Sequence, residues 1–195
     1  MDKRIIALIS FLCYMVCWTQ AADEHYYFRN LSIQDGLSQT TVNAIIQDKK
    51  GFMWFGTKGG LSRYDGLSFR NFKRDMTDRH SLGNNFVTCL YEDNQGDIWV
   101  GTDAGLYIYC SDKETFVPFN LLSQENTKIE RTVSAISGDK QGRVWIAVEM
   151  QGLFCYDSQK EQLHNYILNE FSANVNSLAF DNSGTIWLGF YGNGL

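Results

Sequence analysis

"DKKGFMWFGT" occupies residues 48–57, and "DNQGDIWVGT" repeats its frame at 93–102. "DKQGRVWIAV" begins at 139 and "DNSGTIWLGF" at 181, so Asp-x-x-Gly-x-x-Trp is written four times. Aligned on Trp54, Trp99, Trp145 and Trp187, the units lie 45, 46 and 42 residues apart. A period in this range whose units read as strands indicates propeller blades rather than solenoid helices.

The first unit shows why. "VNAIIQD" is a short β-rich run. Asp48 and Gly51 then stand first and fourth in a turn, where Asp can accept backbone amides and Gly can take positive φ. "FMWFGT" reads as a second strand, "LSRYDG" as a third and "SFRNF" as a fourth. Four short antiparallel strands make one blade. "VTCLYED", "DIWVGT", "LYIYC" and "TFVPF" repeat the set, as do "VSAISGD", "RVWIAV", "LFCYD" and "QLHNY". The fourth unit offers "VNSLAFD" and "TIWLGF".

The expected fold is therefore all-β, a propeller of four-stranded antiparallel blades, with repeats at roughly 38–82, 83–128, 129–170 and 171–195. First strands such as Val42, Ala44, Ile45 and Ile46 are apolar on both faces, which predicts burial on both. Asp48, Gly51, Asp93, Gly96, Asp139, Gly142, Asp181 and Gly184 are expected to build exposed hairpin turns. Each Trp is expected to wedge between blades, burying roughly 150–250 Å², or about 4–6 kcal/mol gross. The Gly after Trp is expected to allow close backbone approach. On this reading the four acids, one per blade, do not converge on a catalytic centre.

The remaining composition narrows the class. The chain has 195 residues, 44 % hydrophobic, with 17 glycines and one proline, which fits many tight turns and a real core. A net charge of −5 without a basic cluster argues against nucleic-acid binding. Lys3 and Arg4 precede an apolar run, Ile5 to Trp18, and "TQAA" follows. That order reads as a secretory signal over 1–21, followed by an exported, periplasmic domain over 22–195. Cys89, Cys110 and Cys155 remain, an odd number without metal-ligand spacing. No metal or cofactor is expected.

Across "LSIQDGLSQTTVNAIIQDKKGFMWFGTKGGLSRYDG" and "SLGNNFVTCLYEDNQGDIWVGTDAGLYIY" the chain resembles the two-component regulator propeller repeats. The combination of Gly-Leu-Ser, the Trp phrase with Gly-Thr, and Gly-Leu-x-x-Tyr carries the likeness from about Tyr26 to Leu195. The third and fourth units depart from it, with Ala147-Val148 and Gly189-Phe190 in place of Gly-Thr.

The resemblance implies the exported sensor half of a hybrid two-component system, detecting oligo- or polysaccharides and signalling to a histidine kinase. It also implies a ring of about seven blades, something over about 300 residues at this period, of which this chain would be an N-terminal part. "YYFRNLSI" would then be the outermost strand of a last blade. Partners would be a glycan or other small ligand, the rest of the sensor and a second copy in a homodimer.

Loops leading into first strands and those joining second to third strands share one face of a propeller. They supply Lys58, Asn85, Asp103, Arg131, Glu149 and Tyr191 as ligand candidates, with Gln39, Asn43, Asn84 and Asn174 beside them. Two alternatives stay open: a propeller enzyme resembling streptogramin lyase or lactonases, and a non-catalytic protein-interaction propeller.

Overall fold

The computed structural model describes residues 27–166 and 175–191. Residues 31–195 form one compact unit, distinct from 1–30. The expected signal segment and Asn174 lie outside the described residues. Residues 27–32 carry no strand, and a 3-10 turn follows at Ile33–Asp35.

Three complete blades follow. The first is β1 (Val42–Gln47), β2 (Met53–Thr57), β3 (Gly60–Tyr64) and β4 (Phe69–Phe72). The second is β5 (Val87–Glu92), β6 (Ile98–Thr102), β7 (Gly105–Cys110) and β8 (Thr115–Pro118). The third is β9 (Val133–Gly138), β10 (Val144–Val148), β11 (Gly152–Asp157) and β12 (Gln162–Tyr166). A two-stranded fourth sheet holds β13 (Val175–Phe180) and β14 (Ile186–Phe190). Within every sheet, neighbours in sequence are neighbours in space and run antiparallel. β1 lies against β5, β5 against β9 and β9 against β13, so the first strands form the inner layer.

The turn and the tryptophan, read separately from the sequence, are one device. Asp93 Oδ1 accepts the backbone amides of Gln95 (2.9 Å) and Asp97 (3.0 Å), while Oδ2 accepts the Trp99 indole N–H at 2.8 Å. Asp48 does the same for Lys50, Phe52 and Trp54, and Asp139 for Gln141, Arg143 and Trp145. Asp181 repeats it for Ser183, Thr185 and Trp187. The turn glycines 51, 96, 142 and 184 all have positive φ, between 79° and 92°. Asp48 and Asp93 are each only 8 % exposed, so in these two hairpins the Asp is buried while the two turn residues after it are exposed as expected. One carboxylate thus closes the hairpin and fixes the indole that leaves it.

The first three indoles then meet the next blade. The Trp54 ring lies 5.0 Å from Tyr109 and 5.9 Å from Phe72 of its own blade. Trp99 lies 5.6 Å from Tyr156 and 5.3 Å from Phe119. Trp145 lies 6.0 Å from Phe180 and 5.6 Å from Tyr166. Trp54 and Trp99 are 1 % and 2 % exposed, but Trp187 is 53 % exposed. The same end effect appears in β1, whose residues alternate between half-buried and exposed, with Ile45 at 56 %. Burial of a first strand on both faces needs a blade on either side, which only the interior blades have.

Two further contacts recur at every junction. The side chain one residue into a first strand donates to the carbonyl that opens the next: Asn43 to Val87 at 2.7 Å, Thr88 to Val133 at 2.5 Å, and Ser134 to Val175. The valine side chain fills the notch left two residues after Trp. A Cβ on Gly56 would stand 2.6 Å from Val87, and one on Gly101 2.9 Å from Val133. In the third blade Ala147 and Val175 share one buried cluster. Asn43, a loop candidate in the sequence, is therefore part of a blade junction.

The Gly-Thr departures also have a local cause. Thr57 and Thr102 are buried, and their hydroxyls donate to the Gly60 and Gly105 carbonyls while accepting the amides of Gly59 and Ala104. Val148 cannot do this. Its turn instead holds an extra residue, Met150, at φ 57°.

A pH dependence follows from the clasps. In Asp139 burial opposes the charge, but hydrogen bonds from Trp145 and from the Arg143 backbone and guanidinium outweigh it and lower the pKa. Asp181 is lowered by hydrogen bonds from the Ser183 hydroxyl, the Trp187 indole and the Thr185 amide. Groups depressed on folding stabilise fully above their unfolded pKa of about 4 and lose that contribution as pH falls further. Urea midpoints are expected to drop steeply below about pH 4, and less steeply for Asp139→Asn. Identical acid slopes for the two proteins would contradict the assignment.

Candidate functional site

The turns between second and third strands sit beside the segments leading into the first strands. The amides of Lys58, Asp103 and Glu149 donate to the carbonyls of Thr41, Phe86 and Thr132, one pair per blade. Neighbouring blades are stitched on this face as well, with the Gly105 amide on Arg131 O and the Thr132 hydroxyl on Asp103 O. The backbone of this loop layer is held by the blades beneath it.

Three of the six candidates, Lys58, Asn85 and Arg131, have side chains engaged by nearby residues, and Asp103 is engaged through its carbonyl. Lys58 places its ammonium 5.4 Å from the Phe86 ring centroid. Asn85 Oδ1 accepts the Arg74 amide at 2.7 Å. The Asp103 carbonyl holds Thr132, and the Arg131 guanidinium contacts the Met150 sulfur at 3.7 Å. Glu149 and Tyr191 are different: they line one cleft of about 250 Å³ between the third and fourth blades, with Ser134, Val175 and Asn176. Tyr191 is 79 % exposed. The cleft therefore offers a carboxylate and an exposed aromatic ring.

A second cleft, of about 290 Å³, lies at the outer rim of the first two blades and was not anticipated. Arg70, Lys73, Asp78, His80 and Glu114 line it, and Arg70 pairs with Glu114 at 2.6 Å. Hydrogen bonds from Arg70 and Arg63 hold the Glu114 pKa below its usual value. Their spacing along the chain gave no signal, because β4, the following loop and β8 bring them together.

The thiols are structural. Cys89 faces Gly101 across β5 and β6, and burial pushes its pKa up to about 12. Cys155 faces Trp145 and is pushed up to about 11 by burial. Neither offers a thiolate near neutral pH. Each of the four recurrent aspartates is committed to its own clasp, 42 to 46 residues from the next along the chain.

Four-stranded antiparallel sheets, ordered in sequence and stacked through their first strands, define a β-propeller architecture. The family model described as two component regulator propeller matches residues 36–59 and 81–104, so the first two blades carry repeats of that family. A protein named histidine kinase P4, from Formosa agariphila, is 35 % identical over 77 residues, covering 40 % of this chain and 5 % of that protein.

Among solved structures, the extracellular domain assigned to a hybrid two component system of B. thetaiotaomicron matches with a TM-score of 0.75 at 24 % identity. It covers 85 % of this chain and 24 % of that one. A second such domain from the same organism matches at TM-score 0.72 and 23 % identity, over 86 % and 25 % of the two chains. A catalytically inactive virginiamycin B lyase from Staphylococcus aureus matches at TM-score 0.62 and 15 % identity, over 82 % and 51 %. These likenesses establish the fold. The chain spans about a quarter of the two extracellular-domain structures.

Proposed function

We propose that these blades belong to the periplasmic ligand-sensing propeller of a hybrid two-component system, and that the ligand is an oligosaccharide bound without chemical change. The observation that carries this reading is the regulator-propeller match on the first two blades. The cleft of Glu149 and Tyr191 adds chemistry that suits a sugar: an acceptor for hydroxyls and a ring for an apolar sugar face. The lyase-like alternative draws on fold alone, at 15 % identity. A sensor needs only different affinities for its two conformations, and turnover would remove its signal.

The test incubates the purified protein with oligosaccharide pools, follows thermal stabilisation and recovers the sugars for mass analysis. The expected result is a raised melting temperature with ligand returned intact. Tyr191→Ala and Glu149→Gln should each weaken binding roughly tenfold or more, as loss of about 1.4 kcal/mol or more of contact energy would. Cleaved sugar would place the protein among the enzymes. No shift with any pool would leave it a spacer or interaction module.

A further inference from the structure

The outer-rim cleft is walled by the first two blades and the loop that joins them, and it takes no part in the sensing reading. Its lining combines apolar side chains, of which Leu82 and Phe116 are buried, with charges of both signs. β4 and the residue after it supply Arg70 and Lys73, and the loop supplies Asp75 and Asp78. Among the described residues neither cation forms an ion pair with either of these carboxylates. Glu114 is matched separately, by Arg63 at 3.1 Å as well as by Arg70. The loop that carries the carboxylates is fixed in shape. Its Ser81 hydroxyl accepts the Asp75 amide at 3.0 Å and donates to the Asp78 carbonyl at 2.7 Å. The Phe116 amide of β8 donates to the His80 carbonyl at 2.9 Å. Asp75 Oδ1 accepts the Thr77 amide and hydroxyl, and Asp78 Oδ1 accepts the His80 amide. Asp78 Oδ2 and the Lys73 ammonium have no hydrogen bond among the described residues.

We propose that this cleft binds a small zwitterion of the α-amino-acid class, with its carboxylate on Arg70 and Lys73 and its ammonium on Asp75 and Asp78. Its apolar side chain would lie against Phe72, Leu82 and Phe116. The balance of charge selects this class. A simple anion would meet two carboxylates, and a simple cation two basic groups. An uncharged sugar would displace water from four charges and answer none of them. The volume of about 290 Å³ stands at the lower end for small-molecule sites, roughly 300–1,000 Å³, which suits a ligand of this size.

Calorimetric titration of the purified protein with the common L-amino acids should find binding for at least one that has an apolar side chain. Its N-acetyl derivative lacks the ammonium, and its amide lacks the carboxylate. Each should bind at least about tenfold more weakly, the scale of one hydrogen bond to a charged group. Lys73→Gln should weaken binding of the amino acid by a similar factor but cost its amide nothing further. Asp78→Asn should weaken the amino acid and cost the N-acetyl derivative nothing further. Both positions are exposed, and urea midpoints equal to the wild type would show that the variants fold. Binding of no common amino acid would overturn the proposal. So would derivatives that bind as well as the parent, or folded Lys73 and Asp78 variants that bind like the wild type.

Discussion

Trp99→Ala is expected to lower stability by about 3–5 kcal/mol, the range for deleting a large buried aromatic side chain. Trp99 is 2 % exposed and bridges two blades, touching Phe119 of its own and Tyr156 of the next. Alanine would leave a cavity at a junction that neither rigid sheet can close by itself. Trp187→Ala supplies the internal contrast: its indole is 53 % exposed, and its loss should cost well under half as much. Urea unfolding of both variants measures this. Equal losses would mean that the indoles act only within their own hairpins and not between blades.

Gly101→Ala is expected to cost about 2–3 kcal/mol, as overpacking a closed junction does. The new Cβ would press on Cys89 Sγ and stand 2.9 Å from Val133 Cγ1, and these neighbours belong to two different blades. Val133→Ala in the same chain should recover part of the loss, because it empties the space that the new methyl needs. Gly189→Ala should cost under about 1 kcal/mol, since its Cβ would meet only the Ser177 hydroxyl, 2.5 Å away, which can rotate. A Gly101→Ala protein as stable as the wild type would remove the knob-and-notch account of the junctions.

The strands and their grouping were legible because strand, turn and Trp recur at one period, and each blade is built from contacts local in sequence. The Trp wedge between blades was legible, but the other contacts that join them were not. Val87 fills the notch at Gly56 and Val133 the one at Gly101, across about thirty residues and a whole outer strand. A lone valine in an apolar strand gives no hint of that partner. The Asp–Trp bond was closer to view, at a constant spacing of six. However, an acid in a turn and an indole in a strand each have a sufficient separate explanation. The site was least legible. Loop position alone nominated Lys58, Asn85, Asp103, Arg131, Glu149 and Tyr191 equally, whereas packing engages the side chains of Lys58, Asn85 and Arg131, and Glu149 and Tyr191 line one cleft.

Asp93 now carries more than the sequence suggested, because its carboxylate serves both the turn and the indole. Asp93→Ala is expected to cost about 2–3 kcal/mol by stranding buried donors, and Trp99→Phe about 2 kcal/mol by losing ring volume and the indole N–H. If one clasp unites turn and wedge, these losses overlap. The double-mutant cycle of Asp93→Ala and Trp99→Phe, read by urea unfolding, is the direct measurement. A coupling of about 1–2 kcal/mol is the predicted result; losses that simply add would show that turn and wedge are independent and would contradict the account.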